Sequence, residues 1–234
     1  KRRKQYARSV VMSLRLDWVG HDAVKFACEH WHYSKCVPVG KLNAIGVWEN
    51  KTYTGCITFS YGANNNMAKQ YGLTQQQCVE LTRIALNSHE TPVSKLVSIC
   101  FKLLTKKNPD LKLVISYADP EQDHIGAIYQ AGNWYYVGTS LSALKVFYKG
   151  KWAHKKTVDD AGVDQTNLKK RLSKPKYKYL YPLTDDMRSK IEPLRKPYPK
   201  RASVVHNVEQ PAYQQEEGGS IPTLTHTATG KEPV

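Results

Sequence analysis

The sequence predicts an α/β or α+β fold, in which helices cover the faces of a mixed central sheet. Two observations lead to this prediction. Up to about Asp159, the apolar residues change repeatedly between alternating and helical spacing. One continuous apolar stretch, "LKLVISYAD", is typical of a strand buried on both faces. The predicted element order is β-α-β-β-β-α-β-α-β-β.

The N-terminal half provides the first half of this order. "VVMSLRLDWV" alternates as a strand does, and "GHDAVKFACEHW" gathers its apolar residues on one helical face. After a polar loop, "LNAIGVWENKTYTGCITFSYG" predicts two strands joined at Asn50–Lys51, hence a hairpin. "VELTRIAL" is a further strand.

The clearest helix is "TPVSKLVSICFKLLTKKNP", with Thr91 as the expected N-cap and Pro92 in the first turn. The buried strand "LKLVISYAD" follows, and then "HIGAIYQAGN", a short helix with a glycine stop. "WYYVGTS" and "LKVFYKGKWAHKK" are predicted strands. We expect a catalytic domain over 1–158, a basic, tyrosine-rich extension over 159–202 that packs on the domain or on nucleic acid, and a disordered tail over 203–234.

The charge distribution indicates a polyanionic partner. The net charge is +15, and because the tail from Ser203 carries −3, the first 202 residues carry +18. Nucleic acid relieves such self-repulsion, although charge alone does not separate DNA from RNA. Lysine and arginine alternate with tyrosine after Lys169, a pattern that suits phosphates and bases. The candidate nucleic-acid contacts are Arg2, Arg3, Lys169, Lys170, Arg171, Lys176 and Lys178.

Several classes of protein are disfavoured. No run of about 18 apolar residues predicts a membrane span, and no apolar stretch after the basic N-terminus predicts a secretory signal. Phosphate loops of the ATP-binding type and dinucleotide fingerprints for NAD are absent. Five cysteines in such a chain are expected to be reduced thiols, most of them packed as small apolar groups.

The stretch "EHWHYSKCVPVGK" concentrates chemistry-bearing side chains. Cys28, His30, His32 and Cys36 give C-x-H-x-H-x3-C, which matches none of the common zinc spacings. An iron or zinc ion held by His32 and a distant carboxylate remains an alternative to a catalytic loop.

Acidic and basic residues also follow or interrupt the predicted strands. Asp119 comes directly after the buried strand, where open α/β sheets place ligands, but Asp-Pro is also a common turn and helix cap. Glu80 and Arg83 interrupt "VELTRIAL", and a charged residue in such a run either pairs or faces a pocket. Simple alternation would put these two on opposite faces.

Two resemblances extend this interpretation. The run from "ELTRIAL" to "WYYVG" resembles the GNAT acyltransferase fold. This resemblance implies a GNAT-like central sheet flanked by helices. The segments "HWHYSKCVPVGK", "YGLTQQQCVELTRIALN", "SYADPEQDHIGAIYQAGNWYYVGTS" and "KPYPKR" are similar, in order, to the Mom DNA-modification proteins of Mu-like phages, from about His30 to Arg201.

The resemblance to Mom proteins implies an enzyme that converts adenine in double-stranded DNA into N6-carbamoylmethyladenine, in the cytoplasm of the bacterial host, and so blocks restriction. The positions that match are His32, Tyr33, Ser34, Glu80, Arg83, Ser116, Asp119 and Tyr129. We expect Asp119 or His32 to act as the base and Tyr33 or Ser34 to bind the oxyanion. The other substrate-binding candidates are Lys41, Thr91, Ser94, Trp134, Tyr135 and Tyr136, the last three as receptors for a flipped base.

The donor is the point at which the sequence departs from acetyl-CoA-dependent GNAT enzymes. Those carry a glycine-containing loop before the main helix, whereas "LNSHETPVSKL" has no glycine. Glycyl-tRNA is therefore the favoured donor, acetyl-CoA is less expected, and an iron-assisted route with His32 and Asp119 as ligands competes with both. The alternative functions are a non-enzymatic nucleic-acid-binding protein and a small-molecule GNAT N-acetyltransferase.

Overall fold

The structure is a computed structural model that describes residues 13–62 and 66–201. Arg2, Arg3 and the tail 203–234 lie outside the described residues. The strands are β1 Leu14–Trp18, β2 Leu42–Glu49, β3 Thr52–Ser60, β4 Cys78–Leu86, β5 Leu113–Ala118, β6 Tyr135–Thr139, β7 Leu144–Tyr148, β8 Lys151–His154, β9 Lys170–Leu172 and β10 Tyr177–Pro182. The helices are α1 His21–Trp31, α2 Val93–Lys107, α3 Ala127–Ala131, α4 Lys155–Asp160 and α5 Asp185–Ile191.

The central sheet has seven strands in the order β1-β2-β3-β4-β5-β10-β6. All neighbours are antiparallel except β4 and β5, so the sheet is mixed. The apolar stripe of α2 packs on one face of the sheet, and α1 and α5 pack on the other. The predicted fold class, a mixed sheet flanked by helices, is confirmed.

The local elements also agree with the sequence as far as β7. The hairpin between β2 and β3 turns at Asn50 and Lys51, which both have positive φ, at 49° and 68°. This is the backbone of the tight turn that suits the twist of two antiparallel strands. The run β4-α2-β5-α3-β6, on which the GNAT resemblance depends, is present in order.

The boundary expected at residue 158 does not separate two units, because β10 lies inside the central sheet. It pairs with β5 on one side and β6 on the other, and both Tyr179 and Leu180 are fully buried. The lysines in "KYKYLYP" made this segment look like a surface arm. These lysines precede the buried part of the strand, where the Tyr179 and Leu180 side chains pack on opposite faces of the sheet.

A second sheet of three strands, in the order β8-β7-β9, follows β6. Val146 of β7 and Val158 of α4 are fully buried beneath it. Within residues 13–62 and 66–201, every helix is too short or too polar to span a lipid bilayer.

Candidate active site

A cavity of about 390 Å³ opens where β4 and β5 part. The two strands pair over only three positions, Cys78–Glu80 with Leu113–Ile115, and diverge beyond them. The volume falls in the range of about 300–1,000 Å³ typical of small-molecule pockets. Its polar lining comes from five places: the end of α1, the middle of β4, the carboxyl end of β5, α3 with the turn before it, and the end of the described chain. The lining side chains that can ionise or form hydrogen bonds include His32, Tyr33, Arg83, Asp119, Asp123, His124, Tyr129 and Arg201.

A β-bulge directs Arg83 toward this cavity. Opposite β3, Leu81 pairs with Phe59 and Arg83 pairs with Thr58, so Thr82 is the extra residue. Val79, Leu81 and Ile84 accordingly pack in the cluster beneath α2, whereas Ala85 packs beneath α1. The alternation is therefore shifted by one, which places Glu80 and Arg83 on the same face. The expectation of opposite faces was wrong because the sequence shows no sign of the bulge.

The guanidinium of Arg83 has no carboxylate partner among the described residues. One of its terminal nitrogens donates to the Thr82 carbonyl at 2.8 Å, and the other lies 4.0 Å from the Cys36 sulfur. The Nε atom is buried without a hydrogen-bond partner. A partly buried cation with a buried donor that lacks a partner is costly unless something else pairs with it, so Arg83 is suited to bind an anionic or carbonyl oxygen.

His32 ends α1 and is only 8% exposed. Its Nδ1 accepts the Ser34 backbone N–H at 3.1 Å and lies 2.8 Å from the Ser34 hydroxyl. An Nδ1 that accepts an N–H carries no proton, so the neutral ring is protonated at Nε2. Burial, together with the positive charge of Arg83, lowers the pKa of His32 to about 4. At neutral pH this histidine is therefore an uncharged hydrogen-bond donor at Nε2, a role that does not suit a general base.

Tyr33 lies between two imidazoles at the mouth of the cavity. Its ring centroid is 4.3 Å from that of His32 and 5.5 Å from that of His124, and the side chain is half exposed. Burial and the nearby charge of Asp119 raise the pKa of Tyr33, so its hydroxyl keeps its proton. Ser34, in contrast, is not a lining residue, and its contacts with Nδ1 of His32 fix the orientation of that ring.

Asp119 lies at the carboxyl end of β5, where it both lines the cavity and caps the turn that follows. Its Oδ1 accepts the Glu121 N–H at 2.9 Å and so caps the short 3-10 turn Pro120–Gln122. Its Oδ2 is 3.2 Å from the Lys176 ammonium. Each carboxylate oxygen can accept more than one hydrogen bond, so a side chain that lines the cavity keeps capacity for a ligand.

Ser116 and Tyr129 form a buried chain of hydrogen bonds beneath the cavity. The Ser116 Oγ lies 2.8 Å from the Leu81 carbonyl and 2.7 Å from the Tyr129 hydroxyl. A carbonyl only accepts, so Ser116 donates to Leu81 and accepts the proton of Tyr129. Burial raises the pKa of Tyr129 to about 12, which keeps this hydroxyl protonated.

Glu80 is a partly buried carboxyl beside this site. Burial raises its pKa, against the influence of Lys176 and Arg83, and no ion pair within 4.0 Å joins it to either cation. It is not a lining residue of the cavity. The structure therefore places Glu80 in the electrostatic surroundings of Arg83 and Asp119.

Six other candidates lie away from the cavity. Trp134 and Tyr135 are buried in the core, and Tyr136 is half buried against Tyr177 and Tyr179, so none of the three is placed to receive a base there. Lys41 is exposed just before β2. Thr91 and Ser94 lie at the start of α2, outside the cavity.

The expected N-cap at Thr91 was wrong, and a carboxylate from β2 takes its place. The N-cap residue is Pro92, which has no side-chain cap. Glu49 instead accepts the N–H of Glu90 at 2.6 Å and that of Thr91 at 2.8 Å. Burial acts to raise the pKa of Glu49, but these hydrogen bonds outweigh it and the pKa lies below its usual value. An internal anion thus occupies the backbone donors that precede α2.

Of the nucleic-acid candidates within the described residues, Lys176 approaches the cavity, where it pairs with Asp119. Lys178 reaches the Gln70 side chain at 3.0 Å, outside the cavity lining. Lys169, Lys170 and Arg171 belong to the small sheet and the residue before it. Sequence reasoning missed His124 and Arg201 as lining residues, because their neighbourhood depends on how the turn before α3 and the end of the described chain fold back.

Metal ligation has little support in the described part of the chain. No group of three or more histidine, cysteine, aspartate or glutamate side chains is arranged there to hold an ion. All five cysteines are free, and four of them are buried, as expected.

The chain matches the model of the Mom protein family over residues 13–200. A curated relative, the methylcarbamoylase Mom of Escherichia phage Mu, is 26% identical over 152 residues, which is 62% of this chain and 62% of the relative. The chain therefore spans about three fifths of the length of that relative.

Among solved structures, a Bacillus subtilis acetyltransferase in complex with CoA has 11% identity and a TM-score of 0.45, over 74% of this chain and 100% of that one. An aminoglycoside acetyltransferase in complex with coenzyme A and kanamycin has 11% identity and a TM-score of 0.45, over 77% and 98%. Structural similarity at this level of identity and TM-score says nothing about which acyl donor or acceptor this chain uses. The family match covers most of the chain, and it agrees with the motifs: the chain belongs to the Mom protein family.

Proposed function

We propose that this protein modifies DNA by transferring a small acyl or aminoacyl group to the exocyclic amine, N6, of adenine, and that the product is N6-carbamoylmethyladenine. The observation that carries the proposal is the cavity between β4 and β5, in which unpaired Arg83, neutral His32 and the Asp119 carboxylate line one volume. The name of the phage Mu relative, a methylcarbamoylase, supports the same chemistry.

Arg83 and His32 suit the carbonyl oxygen of the donor. N6 of adenine is a weak nucleophile, because its lone pair is delocalised into the ring, so the carbonyl must be strongly polarised. A fixed guanidinium and a neutral imidazole N–H both donate to an oxyanion without first having to lose water. Removing one such donor typically costs about 10²–10³-fold in rate. Tyr33, protonated and beside His32, supplies a third donor at the mouth.

Asp119 suits the proton. When N6 attacks the carbonyl it becomes a cationic nitrogen, whose proton is far more acidic than that of the free amine. A carboxylate held in place by the Glu121 N–H and the Lys176 ammonium accepts this proton after the bond forms. We therefore assign the base to Asp119, and His32 becomes a donor to the oxyanion.

The donor that fits best is a glycyl ester. Glycyl transfer to N6 releases the alcohol of the ester and leaves N6–CO–CH2–NH2. The free amine then attacks C6 through a five-membered ring, and collapse expels the original N6 as the terminal amide, without a redox step. The Glu49 carboxylate accepts hydrogen bonds from the N–H groups of residues 90 and 91, so these groups are not available to bind a pyrophosphate. This favours an acyl donor that needs no pyrophosphate site at the start of α2.

Nucleoside mass spectrometry tests the proposal. DNA from cells that express the protein is digested and compared with DNA from cells that carry the empty vector. We expect N6-carbamoylmethyladenine only in the first sample, with carbon label from glycine in both carbons of the added group. An unmodified adenine pool in cells that contain the soluble protein would sink the proposal. Modification by purified protein with acetyl-CoA and iron, but not with glycyl-tRNA, would replace the glycyl donor.

A further inference from the structure

The small sheet presents two aromatic rings, a histidine and two cations on one face. Residues directly opposite each other in a sheet share a face, and residues two apart along a strand share it too. Phe147 pairs with Trp152, and Lys145 pairs with both His154 and Arg171. These five side chains therefore lie on one face, which we term the hairpin face.

The aromatic rings on the hairpin face are exposed. Phe147 is 40% exposed and Trp152 is 37% exposed, and their centroids are 5.4 Å apart in an edge-on arrangement. The Arg171 guanidinium lies 5.0 Å over the Trp152 ring. On the opposite face, Val146 is fully buried, so the sheet has its core without these rings.

The strands around these rings carry positive charge only. β7, β8, β9 and the turn that joins the first two contain five cations and no aspartate or glutamate, namely Lys145, Lys149, Lys151, Lys170 and Arg171. Lys169, whose carbonyl accepts the Phe147 N–H, adds a sixth beside them. Lys151 and Lys170 pair with Tyr148 and Val146 and so lie on the other face of the sheet. Lys169, beside Phe147, and Lys149 of the turn flank the rings, and neither makes an ion pair with any described residue.

A single carboxylate joins the hairpin face to the rim of the cavity. Glu121 pairs with both Lys145 and Arg171, and it also accepts the Lys174 N–H at 3.2 Å. The hydrogen bond from Lys145 is the main reason that the pKa of Glu121 falls to about 2. Glu121 is two residues from Asp119, whose side chain it meets through its own N–H. The small sheet is thereby fixed against the cavity.

We infer that the hairpin face is the surface that holds the DNA strand next to the target adenine, a role that rests on the proposed function. Trp152 and Phe147 stack against the base or sugar left exposed when a nucleotide leaves the duplex, and the lysines meet the flanking phosphates. Exposed rings beside positively charged side chains are the combination that binds unpaired nucleic-acid bases. A second copy of this chain is the less favourable occupant, because two such faces would oppose positive charge to positive charge.

Fluorescence anisotropy with two labelled duplexes tests the inference, one fully paired and one with an adenine opposite an abasic site. We expect Trp152→Ala to weaken binding to the second duplex by about tenfold, within the range for one lost stacking contact. Trp152→Phe, which keeps a ring, retains most of the affinity. The matched control is Trp18→Ala, since Trp18 is 36% exposed with the Lys107 ammonium 4.3 Å from its ring, but lies on the edge strand β1.

A charge variant tests the same surface without touching a packed ring. Lys169→Glu weakens binding to both duplexes and lowers the slope of log affinity against log salt by about 1–2. Lys102→Glu, an equal change on the exposed side of α2, leaves both values unchanged.

Two results overturn the inference: wild-type affinity in both Trp152→Ala and Lys169→Glu, or a changed oligomeric state of these variants with unchanged DNA affinity. Binding requires no catalysis, so these outcomes are separate from the absence of modified adenine, which would count against the proposed function alone.

Discussion

At the scale of single residues, His32 makes a prediction that does not depend on any substrate. Its pKa of about 4 in the folded protein lies below its ordinary value of 6.5. The unfolded chain therefore binds a proton below about pH 6.5, and the folded protein does not until about pH 4. The contribution of His32 to the free energy of unfolding is fully present above pH 6.5. It falls as the pH drops from 6.5 to 4, and it is lost below pH 4.

Urea unfolding at pH 7 and pH 5 measures this effect. Between these two values the wild type should lose about 2 kcal/mol through His32, and His32→Gln should lack this loss. His30→Gln is the matched control, since His30 is an exposed residue two positions before His32 in the last turn of α1, and it should keep the wild-type dependence. Equal pH dependence in all three proteins would show that His32 is not held neutral by its surroundings.

Ser116 makes a second prediction at this scale. Ser116→Ala removes the acceptor of the buried Tyr129 hydroxyl and leaves the Leu81 carbonyl without its donor. Leaving such groups unpaired costs about 1–3 kcal/mol each, so the free energy of unfolding should fall by at least about 1 kcal/mol. Ser98→Ala on the exposed side of α2 should change it by less than about 0.5 kcal/mol. A stable Ser116→Ala protein that has lost activity would instead assign Ser116 to the chemistry.

At the scale of secondary structure elements, the carboxylate of Glu49 replaces the missing cap of α2. Glu49→Gln keeps one acceptor oxygen in place of two and removes the charge that both N–H groups face. We expect a loss of about 1–2 kcal/mol in the free energy of unfolding, measured in urea. Glu90→Gln, the same change at an exposed side chain of the adjoining turn, should have almost no effect. If the two variants are equally stable, the carboxylate does not hold the loop before α2.

The sequence predicted most of the helices and strands correctly, but it predicted less well which strands pair with one another. Periodicity found α2 and the hairpin at Asn50, because the information for both is local. It did not reveal the bulge at Thr82, which depends on how β3 pairs with β4, and this bulge decides where Arg83 points. It also missed β10, because lysines alternate with tyrosines there and only the gap between β5 and β6 makes the segment a central strand.

The candidate site followed the same division. Asp119 could be expected at the carboxyl end of a buried strand from the strand itself, and the family motifs indicated His32 and Arg83. Trp134 and Tyr135 were misplaced because an aromatic residue is equally suited to a core and to a base-binding surface. Only the packed fold distinguishes these two uses. The tyrosine cluster around Tyr179 takes the core role here.

At the scale of the whole molecule, the proposed function explains both the large positive charge and the cavity. The first 202 residues carry +18, and the small sheet concentrates unpaired lysines beside Glu121 and Asp119. In the proposed function, a charged surface brings a polyanion to the protein, and the cavity then acts on one base of it. The reaction and the binding surface are thus separable by substitution, even though they adjoin.

The central claim is that the cavity between β4 and β5 modifies adenine, and nucleoside mass spectrometry on cavity variants tests it most directly. DNA is compared from cells that express, at equal soluble levels, the wild type, Arg83→Ala, Asp119→Asn, and the surface control Arg15→Ala on β1. The account predicts N6-carbamoylmethyladenine with the wild type and Arg15→Ala, and at least about a hundredfold less with the two cavity variants. Wild-type levels of modification in both Arg83→Ala and Asp119→Asn would contradict it.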